Sequence, residues 1–219
     1  MIGSRLALAA LAVVALAVGW RVAAFGLAGY FAGDDAQLAT RFDPRHGDAL
    51  VRLANARLTG GEAAEAEALA RRAIQARPLN AAAFRVLGFA ASDRDDGARA
   101  DAMMAAATEL TRRDPAASAW MFRKALGEHD HRSAYRHADA LLRRSPDAAD
   151  RLFGSMIGAL DEPSAVAALG ERLSYAPPWR APFLATLAGQ GAEETIRGVL
   201  RRVQVSPRPL DDQEMAWVL

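Results

Sequence analysis

The prolines of this chain recur at nearly even intervals, and this spacing constrains the fold more than any other feature. Six of them are separated by 34, 37, 31, 32 and 29 residues, and the stretches between them are rich in alanine and leucine. The six are Pro44, Pro78, Pro115, Pro146, Pro178 and Pro207. A period of about 34 residues filled with helix-forming sequence is typical of arrays of helix–turn–helix repeats.

Composition favours an all-α fold. Apolar residues make up 52% of the chain and are dominated by alanine, the strongest helix former, whereas aromatic residues make up only 7%. The net charge of +1 does not indicate a nucleic-acid partner. The chain has no cysteine, which excludes disulfides and thiolate zinc sites. Lys124 is the only lysine, a bias that we interpret as that of a GC-rich bacterial genome.

The N-terminal segment, residues 1–33, is predicted to be a transmembrane helix. Residues 6–20 carry no charge, Arg21 interrupts, and residues 22–33 are again uncharged. A membrane-spanning stretch fits over residues 6–26, with the Arg21 side chain extended toward one interface. Trp20 and Tyr30 suit interfacial depths. We therefore expect one N-terminal anchor.

Two other interpretations of this segment stay open. A cleaved signal peptide is possible, since residues 15–17 and 22–24 both offer small residues at the cleavage positions. The other alternative is that this segment is a buried first helix of the repeat array. The anchor is favoured over cleavage because the apolar stretch continues past both candidate cleavage sites. Arg5 before the apolar stretch and two aspartates after it favour an orientation that leaves the rest of the chain in the periplasm, as a single-pass protein of the bacterial inner membrane.

The clearest repeat covers Gly47–Pro78. Leu50, Leu53 and Leu58 recur at helical spacing, and Gly61 supplies a turn before a second, alanine-rich helix that Pro78 closes. This pattern of large and small residues resembles the tetratricopeptide repeat family. This resemblance and the proline period together divide the chain into a connector (34–46), three repeats (47–146), divergent helix pairs (147–207) and an unpaired C-terminal helix (208–219).

The later repeats carry weaker signals. The second begins with Asn80 as a helix N-cap and has a long turn over residues 92–97. Its second helix is predicted to bury Ala102, Ala106 and Leu110. The third repeat is predicted to have a short first helix around residues 120–126. The fourth and fifth, over 151–175 and 179–205, rest on periodicity alone.

The resemblance implies a right-handed superhelical solenoid of about five helix pairs, preceded by the hydrophobic helix. It further implies that the first helix of each pair lines a concave groove that binds a protein or peptide partner. Position by position, the predicted groove residues are Asp48, Val51, Asn55, Arg85, Phe89 and Arg123. A clamp for C-terminal carboxylates is not expected, because Val51 cannot donate a hydrogen bond.

The ligand-type residues of the chain gather around His129 and His131, with His137 nearby. Histidines at this spacing could hold a metal ion. Turns also collect polar residues, and this segment lies between the two helices of the third repeat. The solvated-turn interpretation is favoured, so neither a metal nor another cofactor is predicted. The carboxylates before Arg71 and Arg72, including Glu67, are interpreted as ordinary helix-surface pairs.

The sequence contains no catalytic or nucleotide-binding motif, so no enzymatic activity is expected. The predicted function is a membrane-anchored scaffold or adaptor for protein–protein interaction at the bacterial cell envelope, with envelope or surface-polysaccharide assembly as the candidate processes. One alternative is a secreted periplasmic adaptor that remains after signal cleavage. Another is the non-catalytic part of a longer envelope enzyme.

Overall fold

Every secondary-structure element in the described part of the chain is helical. The computed structural model describes residues 2–216, without the side chains of residues 2–8 and 213. The chain divides into two compact units, Met1–Met103 and Met104–Leu219. Within these limits the all-α prediction is confirmed, and helices adjacent in sequence pack as pairs.

The first unit begins with one long helix and continues in shorter ones. Its helices are α1 (Ile2–Phe31), α2 (Ala36–Phe42), α3 (Gly47–Thr59), α4 (Ala63–Ala76), α5 (Ala81–Ser92) and the first half of α6 (Gly97–Leu110).

The second unit takes the remainder of α6 and seven further helices. These are α7 (Pro115–Gly127), α8 (His131–Arg144), α9 (Ala149–Gly158), α10 (Pro163–Leu173), α11 (Arg180–Gln190), α12 (Glu193–Gln204) and α13 (Asp212–Ala216), with a 3-10 turn at Pro146–Ala148 before α9.

Local sequence signals explain where several helices begin and end. Gly61 takes a φ of +79°, a conformation that glycine adopts at little cost, and the chain turns there from α3 to α4. The side chain of Asn80 accepts a hydrogen bond from the Ala83 amide, which confirms the predicted N-cap of α5. Asp114 caps α7 in the same way, with Pro115 in the first turn of the helix.

The core of the first unit is built on small side chains. The interface of α3, α4 and α5 buries Leu50 and Leu87 among alanines of all three helices. Small side chains let helix backbones approach closely. The alanine-rich second helix of the predicted repeat is suited to such packing. The core of the second unit instead contains large apolar residues, such as Tyr135, Phe153 and Phe183.

Two local predictions are wrong. The first helix of the third repeat is not short, because α7 begins at Pro115 and not near residue 120. The buried face of α6 is also different. Ala102 and Leu110 are exposed and Ala106 is half-buried. A shift of about two residues along a helix rotates the predicted face by roughly 200°. The long turn before α6 produced such a shift, so the residues predicted to be buried lie on a different face of the helix. The buried residues of α6 are instead Ala100, Met104, Ala107 and Thr108.

The ends of the predicted array have structure of their own. The connector carries the short helix α2, whose Phe42 ring stacks on Phe31 at 6.0 Å between centroids. Near the other end, buried Arg180 of α11 donates to the Glu214 carboxylate of α13 at 2.7 and 2.6 Å. The described part of the C-terminal segment is thus held against α11. Residues 217–219 lie outside the described residues.

Candidate functional site

The predicted groove residues of the first unit lie on α3 and α5, two helices in contact with each other. Asp48 is exposed, and both of its carboxylate oxygens accept from Arg77 at 2.7 Å. Asn55 is half-buried and donates its amide to the Val51 carbonyl at 3.0 Å. Val51 itself is only 7% exposed and packs in the core. Its inclusion in the groove was wrong, because its side chain fills the α3–α5 interface.

The other groove candidates are cationic or aromatic. Arg85 and Phe89 are half-buried on α5, one helical turn apart. Arg123 lies on α7 in the second unit, with its guanidinium over the Trp120 ring at 5.8 Å. It lines a cavity of about 440 Å³ together with Phe122 and Arg151. Four of the predicted residues thus lie on α3 and α5 outside the buried core, and Arg123 lines a cavity of the second unit.

Glu67 is the centre of a charge cluster in the first unit. Its carboxylate is 5% exposed and is contacted by Arg71, Arg94 and Arg99, the last at 2.6 Å. Burial alone would raise the pKa of Glu67, but the hydrogen bonds from Arg94 and Arg99 outweigh it and lower the pKa. The predicted pairing of Glu67 with an arginine of its own helix is present with Arg71, but the expected surface position is wrong, because Glu67 is buried and also contacts Arg94 and Arg99.

A second polar cluster forms where α8 and α10 begin. His129 Nδ1 lies 2.6 Å from Glu162 Oε1, and His131 Nε2 lies 3.7 Å from Glu162 Oε2. One donor atom from each of the three residues falls within 4.8 Å of the other two. Of the residues that the structure describes, these three form the group whose donor atoms converge closely enough to hold a metal ion.

The two histidines differ in their surroundings. His129 lies in the turn before α8 with a φ of +58°, and its side chain is exposed. His131 is the first residue of α8 and is only 3% exposed. Its Nδ1 lies 3.2 Å from the Ser164 hydroxyl, which leaves Nε2 facing Glu162. A cavity of about 350 Å³ opens beside the pair.

Asp130, between the two histidines, has a different role. Its carboxylate accepts from the Ser133 amide and caps α8, and hydrogen bonding to Ser133 lowers the pKa of Asp130. Glu162 occupies the equivalent N-cap position of α10, yet its side chain makes no capping hydrogen bond there. The Glu162 carboxylate is instead directed at the two imidazoles.

His137, the third histidine of the sequence cluster, lies elsewhere. It is half-buried on α8 beside another cavity, with Arg112 and Arg136. Burial, reinforced by those two arginines, lowers the pKa of His137 to about 4. The third member of the cluster is therefore Glu162, which the sequence analysis missed. Its separation of 33 residues from His129, one repeat period, is the signal that could have identified it.

The apolar surface of α1 is a further candidate site. Residues Ala9–Phe31 are long and apolar enough to cross a membrane, a test that signal sequences and core helices of soluble proteins also pass. Ala24 and Ala28 are buried, whereas Leu16 and Trp20, one or more turns nearer the start of the helix, are exposed. Arg21 approaches the buried carboxylate of Asp43 at 3.9 Å. The part of α1 that contains Ala24 and Ala28 thus packs against the rest of the first unit. Most of the remaining surface of α1 is apolar and is not covered by the described residues.

Known proteins add no further assignment. No protein-family model matches the chain, and no curated protein matches it either. The candidate sites therefore rest on the geometry of this chain.

Proposed function

We propose that this protein is a membrane-anchored helical-repeat scaffold that binds a protein or peptide partner at the bacterial cell envelope. The observation that carries this proposal is α1, a long helix whose apolar side chains are mostly exposed beside a helical unit with a packed core of its own. Exposing such an apolar surface to water is unfavourable in free energy, whereas burying it in a bilayer is favourable.

The ends of the anchor are marked by charges. Uncharged residues 6–20 extend over about 22 Å, and the long stem of Arg21 lets the apolar region reach further toward the ~30 Å of a hydrocarbon core. Arg21 lies near Asp43, so this pair marks the boundary with water on the side of the folded unit. The buried alanines of α1 and α2 would then lie at the interface between membrane and water.

The contacts between helices support a repeat array. Besides sequence-adjacent pairs, helices two apart in sequence contact each other, namely α3 with α5 in the first unit, and α8 with α10, α9 with α11 and α10 with α12 in the second. In stacked helix pairs each helix meets its counterpart in the next pair, which gives this pattern. It favours a tetratricopeptide-like solenoid within each unit.

The partner surface that we propose comprises Asp48, Asn55, Arg85 and Phe89 on α3 and α5. It combines a carboxylate, an amide, a guanidinium and an aromatic ring on neighbouring helices. Arginine and aromatic residues are enriched at protein interfaces. An extended or helical peptide segment laid across these two neighbouring helices is the occupant that we propose.

The anchor is tested by carbonate extraction of membranes from cells that express the full chain. An anchored protein stays in the pellet with its N-terminal residues intact by mass spectrometry. Recovery in the wash with a chain shortened near residue 17 or 24 would instead establish the secreted adaptor. Because the chain lacks cysteine, Gln204→Cys, at an exposed site, reports its compartment through a membrane-impermeant maleimide.

The partner surface is tested by crosslinking and mass spectrometry from native membranes with the full-length chain. The variant is Arg85→Glu, and the matched control is Arg113→Glu, which makes the same charge change at an exposed loop position. Both variants are first checked for an unchanged melting temperature. Proteins that are lost with Arg85→Glu and kept with Arg113→Glu support the proposal. An identical set from both variants contradicts this surface.

A further inference from the structure

We propose that His129, His131 and Glu162 form a binding site for a divalent transition-metal ion, with zinc as the expected occupant. This inference is independent of the scaffold function proposed above. It rests on three donor groups that approach one another from two segments of the chain: the turn into α8 and the start of α10.

The donor atoms are close to the arrangement that zinc requires. Tetrahedral zinc holds its ligand atoms at about 2.0–2.2 Å, so that neighbouring donors lie roughly 3.3 Å apart. His129 Nδ1 lies 2.6 Å from Glu162 Oε1 and His131 Nε2 lies 3.7 Å from Glu162 Oε2, and one ligand atom from each residue lies within 4.8 Å of the other two. The Glu162 carboxylate ends a flexible side chain that is only half-buried, so it can adjust around an ion.

The surroundings of His131 orient it as a ligand. Its Nδ1 faces the Ser164 hydroxyl at 3.2 Å, and its ring is held in the interior beside Tyr135. Histidine ligands characteristically engage their second nitrogen with such a partner, which fixes the tautomer and leaves the other nitrogen for the metal. Here Nε2 is the free nitrogen, and it is the atom that faces Glu162.

The charged neighbours do not compete for the same atoms. Asp130 caps α8, and Arg132 donates to Glu171 at 2.8 Å, so both are engaged away from the cluster. Glu162 is the carboxylate whose oxygens face both imidazoles. Two imidazoles and one carboxylate match zinc and its neighbours in the transition series, whereas magnesium and calcium prefer oxygen ligands.

The site has an accessible side. His129 is exposed, and the cavity of about 350 Å³ beside the cluster opens between α8 and α10. Three protein ligands leave a fourth position for water or for a group of another molecule. Since His129 and Glu162 lie one repeat period apart, the ion would also cross-link successive helix pairs in the second unit.

The test is titration of the purified full-length chain in detergent with Zn²⁺, followed by competition with a chromophoric chelator. We expect one zinc ion per chain and a higher melting temperature in its presence, since binding to the folded state alone stabilises it. His129→Ala and Glu162→Gln should each weaken binding at least tenfold. Both sites are at least partly exposed, so these variants should stay folded, and circular dichroism checks this.

The matched control is His137→Gln, which removes a histidine of the same helix outside the cluster. Its affinity for zinc should equal that of the unmodified chain. Cobalt provides a second readout, because tetrahedral Co²⁺ has intense visible absorption that the Glu162→Gln variant should lack. Absence of saturable binding would overturn the proposal, and so would binding that survives both cluster variants or is lost equally with His137→Gln. In those cases the cluster is a His–carboxylate hydrogen-bond network only.

Discussion

The two units build their helix pairs from side chains of different size. In the α3–α5 core of the first unit, five of the nine described buried residues are alanine, whereas in the core of the second unit only four of 21 are. Alanine cores need close helix approach and tolerate little added volume. Cores of leucine and aromatic residues are filled by many combinations of similar total volume. This explains why a repeat motif is visible in the first half of the sequence and fades in the second.

The largest effect should come from a charge placed in the alanine-rich core. Leu87→Asp puts a carboxylate at a position that is 6% exposed, and we expect a loss of more than about 4 kcal/mol in the free energy of unfolding. Leu53→Asp should cost less, because Leu53 is only half-buried. Chemical denaturation measures both. The control is Leu79→Asp at a leucine that is 80% exposed, and an unchanged midpoint for Leu87→Asp would refute the helix register.

The next largest loss of stability is expected in the aromatic core of the second unit. Phe183 is fully buried and packs edge-on against Phe153 at 5.1 Å between ring centroids. Phe183→Ala should therefore destabilise the protein by about 3–5 kcal/mol, because it leaves a cavity. Tyr175→Ala, at an exposed aromatic residue, is the control. Equal melting temperatures for the two variants would mean that the second unit does not depend on this aromatic packing.

The packing of the two cores is probed by one substitution that adds volume in the first unit and one that conserves volume in the second. Ala70 is fully buried in α4, and Ala70→Leu should cost about 1–3 kcal/mol because the helices cannot separate without strain. In the second unit, Leu169→Met conserves volume and should cost less than about 1.5 kcal/mol. Thermal unfolding of both variants compares the two. Tolerance of Ala70→Leu would show that the first core is loosely packed and would remove the distinction between the units.

The smallest effect concerns the polar cluster of the first unit. Glu67→Gln removes a buried carboxylate from its arginines and should cost about 1–3 kcal/mol at neutral pH. The pKa of Glu67 is lowered from its ordinary value of 4.5, so its stabilisation is fully present above that value. This stabilisation is lost as the pH falls through the lowered pKa. The stability difference between wild type and variant should therefore shrink in acid, and a difference independent of pH would contradict the assignment.

Much of the local structure could be predicted from the sequence. Asn80 at the start of α5 and Gly61 after α3 act through hydrogen bonds and backbone conformations within a few residues, so their effects do not depend on distant packing. The long apolar helix α1 was predictable for the same reason, since its apolar residues follow one another along the chain with Arg21 as the interruption. Positions that depend on helix rotation were less predictable, as the displaced stripe of α6 shows.

The candidate sites were also hard to predict where they depend on how helices pack. Val51 fits the repeat pattern as a groove residue, yet the packing of α3 against α5 buries it. Glu67 has the same local surroundings as its exposed neighbours on α4, and only the position of the α5–α6 turn brings Arg94 and Arg99 to it. Neither outcome could be predicted from neighbouring residues, because each depends on where a second helix lies.

The sequence by itself determined that this protein is helical, where most of its helices begin and end, and that its first helix is apolar. These properties follow from propensity, capping and periodicity, which act over a few residues. The tertiary structure alone decided which polar side chains meet. Glu162 reaches His129 and His131 from one repeat period away because α10 packs beside α8, and the packing of two helices depends on the shape of their whole interface.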